Sequence, residues 1–347
     1  MTLPTTAAST QHSSRLRDLG RFALRHQGWL ILFILLALAA VASPQRDGSI
    51  VFLQPANLLN IVRFASVNGI IAIGMTMVIL IGGIDLSVGA VMALGAVVAA
   101  KGLMQLGLDT FSAVALTLAV TGTVGIVNGW VTTRFNLQSF ITTLAMLSVA
   151  RGIASLLAGG YAIPLAFGER SDAAPASFKT LFGGTVEILG LDVPVAMFYF
   201  IGVGILATLL LNHTGFGRHV YAIGGNKTAA RLSGVNVKRV TILVFGLCSL
   251  LAGLASLLHA ALVSQGSHVD GSGYELNAIA AVVIGGTLLS GGVGTVVGTM
   301  IGAVILSILD NILGLNNVSS EFQLILKGVI IVAAVAIQRQ QSGNRTE

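Results

Sequence analysis

Long apolar runs separated by short polar stretches dominate this chain. A helix needs roughly 20 mostly apolar residues to cross a bilayer. Ten runs reach or approach that length, at 27–43, 61–82, 86–106, 111–131, 138–158, 194–211, 240–263, 275–290, 293–313 and 321–338. The eighth is short and nearly abuts the ninth. Hydrocarbon offers no water to satisfy backbone N–H and C=O groups, so each run predicts a helix. Gly294, Gly298 and Gly302 recur four apart, as do Gly125 and Gly129. Such small-residue faces predict close helix contact. The fold class that follows is all-α, a bundle of about ten transmembrane helices.

The polar positions inside the runs are few. Asn68, Thr76, Asn128, Thr132, Thr142, Thr143 and Ser148 fall in or at the ends of apolar segments. Polar side chains there face the bundle or a cavity. Asn68 and Asn128 cost most to expose and are placed nearest a path, with helix-to-helix bonding as the equal alternative. Thr76, Asp85, Thr142 and Thr143 complete the candidate path or gate. Asp85 lies in Ile81-Gly-Gly-Ile-Asp-Leu-Ser-Val-Gly89, which resembles Ile284-Gly-Gly-Thr-Leu-Leu-Ser-Gly-Gly292. Both stretches fall between two runs, and Asp85 and Ser87 suit the cap of the following helix. Short matched stretches of this kind are consistent with a duplicated architecture. Arg63 and Arg151 are expected to snorkel outward. Lys327, about two turns from Glu321, either snorkels or lines the interior. No acid falls in the middle of a run, which weighs against an ion-driven carrier.

Composition agrees with the pattern. Of 347 residues 54% are hydrophobic and 9% charged, and mean hydropathy is +0.90. A soluble chain carries about 25% charged residues. The single cysteine, Cys248, excludes an internal disulfide. The net charge of +6 matters through its placement rather than as a signal for nucleic acid, for which no role is expected. With the N-terminus inside and ten spans, the cytoplasmic segments hold Arg15, Arg17, Arg21, Arg25, Arg134, Arg218, Lys227, Arg231, Lys238, Arg239, Arg339 and Arg345. The other side and its span ends collect Asp47, Asp109, Glu169, Asp172, Glu187, Asp192, Asp270, Glu275, Asp310 and Glu321. The basic residues thus satisfy the positive-inside rule with both termini cytoplasmic. The expected organisation is a polar leader over 1–26, a membrane domain over 27–338 and a tail over 339–347. An external segment spans 159–193, with a short helix or re-entrant piece near 173–182, and a cytoplasmic loop spans 212–239.

That loop carries the densest basic cluster. Between Thr214 and Val240 lie Arg218, Lys227, Arg231, Lys238 and Arg239, with no acid. It reads as a plain cytoplasmic anchor or as a dock for a soluble partner. A phosphate loop is disfavoured, because Gly224-Gly-Asn-Lys-Thr228 lacks the required glycine frame. In the docking reading Gly224 and Gly225 break the preceding segment, Asn226 caps a helix over 227–232, and Ser233 and Gly234 stop it. Lys227 and Arg231 share a face four residues apart and suit an acidic partner.

The segments Gly217-Arg-His-Val-Tyr-Ala-Ile-Gly-Gly-Asn226 and Ala229-Ala-Arg-Leu-Ser-Gly234 resemble the permease subunit of bacterial ABC importers for monosaccharides. So do Gly83-Ile-Asp-Leu-Ser-Val-Gly89, Gly273-Tyr-Glu-Leu-Asn-Ala-Ile-Ala-Ala281 and the stretch from Gly285 to Gly302. The resemblance covers about residues 50–338 and is nearest to ribose permeases, with xylose, arabinose and galactoside permeases in the same family. Val293 stands where a basic residue is common, and the leader is longer than usual. The resemblance implies a type II-like importer permease in the bacterial inner membrane, without a catalytic site and with no cofactor of its own. It implies a second permease, either an identical copy or a related chain, two cytoplasmic ATPase domains that use ATP and Mg, a periplasmic sugar-binding protein and a small-molecule sugar. Gly225, Asn226, Lys227, Ala229, Ala230, Arg231, Leu232, Ser233 and Gly234 match the segment that couples to the ATPase. The rival reading is a self-sufficient secondary carrier or facilitator for a small polar solute.

Overall fold

The computed structural model describes residues 27–46, 48–167 and 173–343. The leader over 1–26, the acids Asp47, Glu169 and Asp172, and Arg345 of the tail lie outside the described residues. The apolar runs fold as helices: α1 (Gln27–Ala42), α2 (Pro55–Leu80), α3 (Val88–Met104), α4 (Thr110–Arg134), α5 (Ser139–Ala158) and α6 (Val195–His213). Next come α7 (Gly215–Gly225) and α8 (Lys227–Leu232), both within the basic loop. The bundle then continues with α9 (Val237–Val263), α10 (Tyr274–Ile284), α11 (Val296–Leu315) and α12 (Ser320–Gly343). Six of these, α2, α4, α5, α6, α9 and α11, are long and apolar enough to cross a membrane by themselves. The chain is a polytopic helical membrane protein.

Successive long helices run between the same two ends of the bundle. At one end the turns near Leu80, Arg134 and Gly292 gather around the basic loop. At the far end Asn316 donates to the Ala42 carbonyl at 3.1 Å, and Thr110 meets Ser177 at 2.7 Å. Between α5 and α6, a helical turn at Ala176–Phe178 and an antiparallel hairpin, Thr185–Ile188 with Leu191–Pro194, cover that far end. Asp109 caps α4 there; hydrogen bonding to Ser112 and the Phe111 N–H holds its carboxyl below the usual carboxylate range.

The centre is α3, every residue of which from Val88 to Ala100 is buried. Over that stretch it is apolar and rich in Gly, Ala and Val, so α4, α5 and α9 close on it from three sides. The glycine faces explain how. A Cβ on Gly129 of α4 would stand 2.6 Å from the Ile242 Cα of α9, and Gly125 meets the Phe245 carbonyl. Gly298 and Gly302 of α11 press on Gly285 and Ala281 at the end of α10. Gly294 does not share that helix face; it sits in the turn before α11, against Thr287.

Two further expectations are corrected. The eighth run is no full span. α10 holds 11 residues, about 16 Å at the helical rise and roughly half the hydrocarbon thickness. It ends at Gly285 and Gly286, the latter at φ +88°. The second correction concerns Arg151, which does not snorkel. Its guanidinium turns inward and donates to the carbonyls of His268 at 2.6 Å and Asp270 at 2.7 Å. Between α9 and α10 residues 264–273 are non-helical, with Gln265–Gly266 paired antiparallel to Ile163–Pro164, and non-helical carbonyls inside a bundle need such a donor.

Candidate functional site

The two look-alike turns meet in space. The Gly292 N–H donates to the Leu80 carbonyl at 2.9 Å, which joins the end of α2 to the loop after α10. Gly224, in the last turn of α7, wedges against both partners; any Cβ there would strike the Leu80 oxygen and the Gly292 nitrogen. Tyr221 of α7 adds a hydrogen bond from its hydroxyl to the Gly294 carbonyl at 3.0 Å. α7 is therefore bolted to both broken segments of the bundle.

α8 begins two residues later. Asn226 leaves the helix at φ −157°, and its Oδ1 accepts from the Ala229 N–H at 2.9 Å. Ser233 and Gly234 end the helix, Gly234 in the left-handed region at φ +87°. Gly225, Lys227, Ala229, Arg231, Leu232 and Ser233 are exposed, while Ala230 is buried. Leu232 is 85% exposed, unusual for a leucine outside the lipid-facing helices. α7 runs through both glycines and ends at Gly225, so the break that the sequence reading puts at the pair falls at Asn226; Gly224 itself serves close approach.

The first of the look-alike turns is held from within. Asp85 is fully buried and accepts from the Ser87 N–H at 2.8 Å and the Ser87 hydroxyl at 2.6 Å. Asn128 donates to the same hydroxyl at 3.0 Å. Thr143 accepts from the Leu86 N–H at 3.1 Å, and Ser139 accepts from the Ile84 N–H at 3.0 Å. Asp85 thus organises the residues ahead of α3 without bonding to the helix's own first turn. A cavity of about 500 Å³ opens beside this turn, bounded by Gly82, Gly83, Thr132, Ser139 and Lys227.

The path candidates separate. Thr76 pairs with Thr299 of α11 at 2.7 Å and is fully buried. Asn128 and Thr143 belong to the Asp85 network. The Thr142 hydroxyl is enclosed, with no hydrogen-bond partner among the described residues. Asn68 alone of the six opens onto the second large cavity, about 470 Å³ between α2, α10, α11 and α12. Other polar residues around it are not among the path candidates read from sequence: Asn57, Asn60, Asn277, Asp310 and Asn311. Asn57, Asn60 and Asn68 fall close to one face of α2, a spacing visible in the sequence. Lys327 also lines this cavity and pairs with Asp310 at 2.9 Å, not with Glu321.

Comparison with known proteins agrees with the motifs. The family model described as "Branched-chain amino acid transport system / permease component" matches residues 57–335. The ribose import permease protein of Escherichia coli is 42% identical over 337 residues, covering 96% of this chain and 99% of that one. The ribose import permease protein of Bacillus subtilis is 39% identical, covering 90% and 92%. The fructose import permease protein of Bifidobacterium longum is 36% identical, covering 78% of each chain. With four-fifths of its length inside that family model and near-complete coverage by its relatives, the chain belongs to the family of transport-system permease components.

Proposed function

We propose that this chain is the transmembrane subunit of an ATP-driven importer and forms the translocation path for a monosaccharide, ribose before other sugars. The observation that carries the reading is the likeness to ribose import permeases over almost the whole of both chains. The geometry supplies a mechanism. An ATPase docked on the exposed face of α8 moves it when ATP binds. Because α7 is tied to Leu80 and Gly292, that motion reaches the ends of α2 and the loop after α10 together. Two arrangements of the bundle then alternate, each favoured by different partner contacts. ATP and Mg belong to the partner, and this subunit contributes no catalytic group.

In this reading the basic-loop end faces the cytoplasm of a bacterial inner membrane, with both termini on that side. The hairpin end receives sugar from a periplasmic binding protein, and two permease copies assemble with two ATPase domains. Gly225 to Gly234 form the coupling segment. Asp85, Asn128 and Thr143 hold the inner gate turn in shape, while Thr76 fixes α2 to α11 and Thr142 sits beside the gate. Asn68 is the one of these that contacts solute.

The test is purification of the complex in mild detergent, with mass analysis of what accompanies the chain and sugar uptake measured in the same cells. A stoichiometric soluble ATPase, together with ATP-dependent D-ribose uptake, supports the reading. Recovery of the chain alone, with uptake unaffected by loss of the ATPase, would transfer the function to a self-sufficient carrier.

A further inference from the structure

The far-end cavity combines a ligand-sized volume with a wall of polar side chains drawn from several helices. It measures about 470 Å³, within the range of small-molecule sites. Its α2 wall carries Asn60, in the second turn from the far end, and Asn68, about two turns deeper. Across from them stand Asn277 of α10 and the Asp310–Lys327 pair, which joins α11 to α12. Polar groups placed among apolar helices are costly unless they serve packing or a solute.

Packing accounts for part of this set. Asn57 and Asn311 satisfy each other by reciprocal amide bonds of 3.0 and 2.8 Å. The rest is unspent. The Asn68 Oδ1 is buried with no hydrogen-bond partner among the described residues. The Asn60 and Asn277 amides likewise have no side-chain hydrogen bond shown among the described residues. Each amide presents donors and an acceptor, the complement of a hydroxyl that does both. The ion pair sums to zero charge at 2.9 Å, with Lys327 15% and Asp310 31% exposed. A neutral polyol can bridge its two ends, whereas an anion or cation would meet one like charge.

We infer that this cavity is a transient saccharide site on the translocation path, in which Asn60, Asn68, Asn277 and the Asp310–Lys327 pair exchange hydrogen bonds with sugar hydroxyls. The inference rests on the importer reading and deepens it by naming where the solute is held. The site lies at the end that would face the binding protein. Asn60 is exposed at its rim while Asn68 lies deeper, so a sugar entering there passes the first before the second. The amides and the ion pair come from four helices, so relative movement of those helices would break the set up and release the solute.

The experiment uses the full complex in cells, with Asn60→Cys as the reporter. Cys248 is fully buried, so a membrane-impermeant cationic methanethiosulfonate reaches the new thiol and not the native one. Uptake of D-ribose, D-xylose and D-fructose is compared before and after modification. Leu53→Cys, exposed at the same end but outside the cavity, is the control. Expected is a fall of about tenfold or more in the Asn60→Cys uptake, as for a filled pocket, with no change in the control and the ATPase still co-purifying. Should Asn60→Cys show no uptake before modification, Asn277→Leu and Lys327→Met decide: assembled complexes with uptake reduced about tenfold support the site. Uptake within twofold of the unmodified variant overturns the inference, as does loss of the ATPase on modification, which would make the cavity an assembly surface. Wild-type membranes with neither uptake nor a bound ATPase would instead overturn the importer reading itself.

Discussion

Gly224 and Gly225 are neighbours in the same helix yet stand in opposite environments. A Cβ on Gly224 meets the Leu80 oxygen and the backbone of Gly292, whereas one on Gly225 finds nothing within 4 Å. Backbone atoms held by a 2.9 Å hydrogen bond cannot yield as a flexible side chain can, and overpacking of this kind costs about 1–3 kcal/mol. Gly224→Ala is therefore expected to lower the thermal midpoint in detergent and abolish uptake, while Gly225→Ala leaves the midpoint within error. Equal effects at both positions would sink the idea that Gly224 joins the two turns. Ser87 offers a second residue-scale test. Its hydroxyl donates to Asp85 and accepts from Asn128, all three fully buried. Ser87→Ala leaves a carboxylate and an amide short of a partner, about 1–3 kcal/mol of destabilisation, and a melting curve unchanged from wild type would contradict that network.

At the scale of elements, legibility followed periodicity and failed where tertiary contact overrode it. The long runs were readable because hydrocarbon imposes one structure and one length on them. The ends of α8 were readable because Asn, Ser and Gly cap by local chemistry. α10 was not readable as a half-helix: Ile284-Gly-Gly-Thr-Leu-Leu is apolar enough to continue, and only the contact with Leu80 and Gly298 shows why it stops. α7 was missed for a related reason, since its two glycines read as breakers until their packing is known. Among the six path candidates only Asn68 lines the far-end cavity, because isolated polar residues in apolar runs do not reveal which neighbour they face. The cap of α8 yields an element-scale prediction. Asn226→Ala removes the Oδ1 that accepts from Ala229, a loss of about 1 kcal/mol for a typical cap. In a six-residue helix held by Ala230, that is enough to fray it. ATPase association should weaken severalfold in titrations of purified components, and Asn226→Asp, which keeps an acceptor, should restore most of it. An unchanged affinity for Asn226→Ala would mean that the partner itself orders the helix.

For the whole molecule, the decisive question is whether the bundle works alone or is driven from one end. The structure changes how that is asked. Ala230 is buried against the bundle, so a bulky residue there would damage the permease and confuse docking with folding. Arg231 and Leu232 are exposed and project from the same short helix. Arg231→Glu with Leu232→Asp reverses the charge and removes the apolar tip while leaving every bundle contact in place. A driven importer should then insert normally and melt within error of wild type. It should lose the co-purifying ATPase, with sugar uptake reduced at least about a hundredfold, as expected when both anchors of a small docking patch are removed. A self-sufficient carrier has no use for that surface and should keep most of its uptake. Because the substitutions lie outside the membrane bundle, retained uptake would count against the coupling role of α8 itself, and loss of uptake with unchanged melting would locate the drive at this helix.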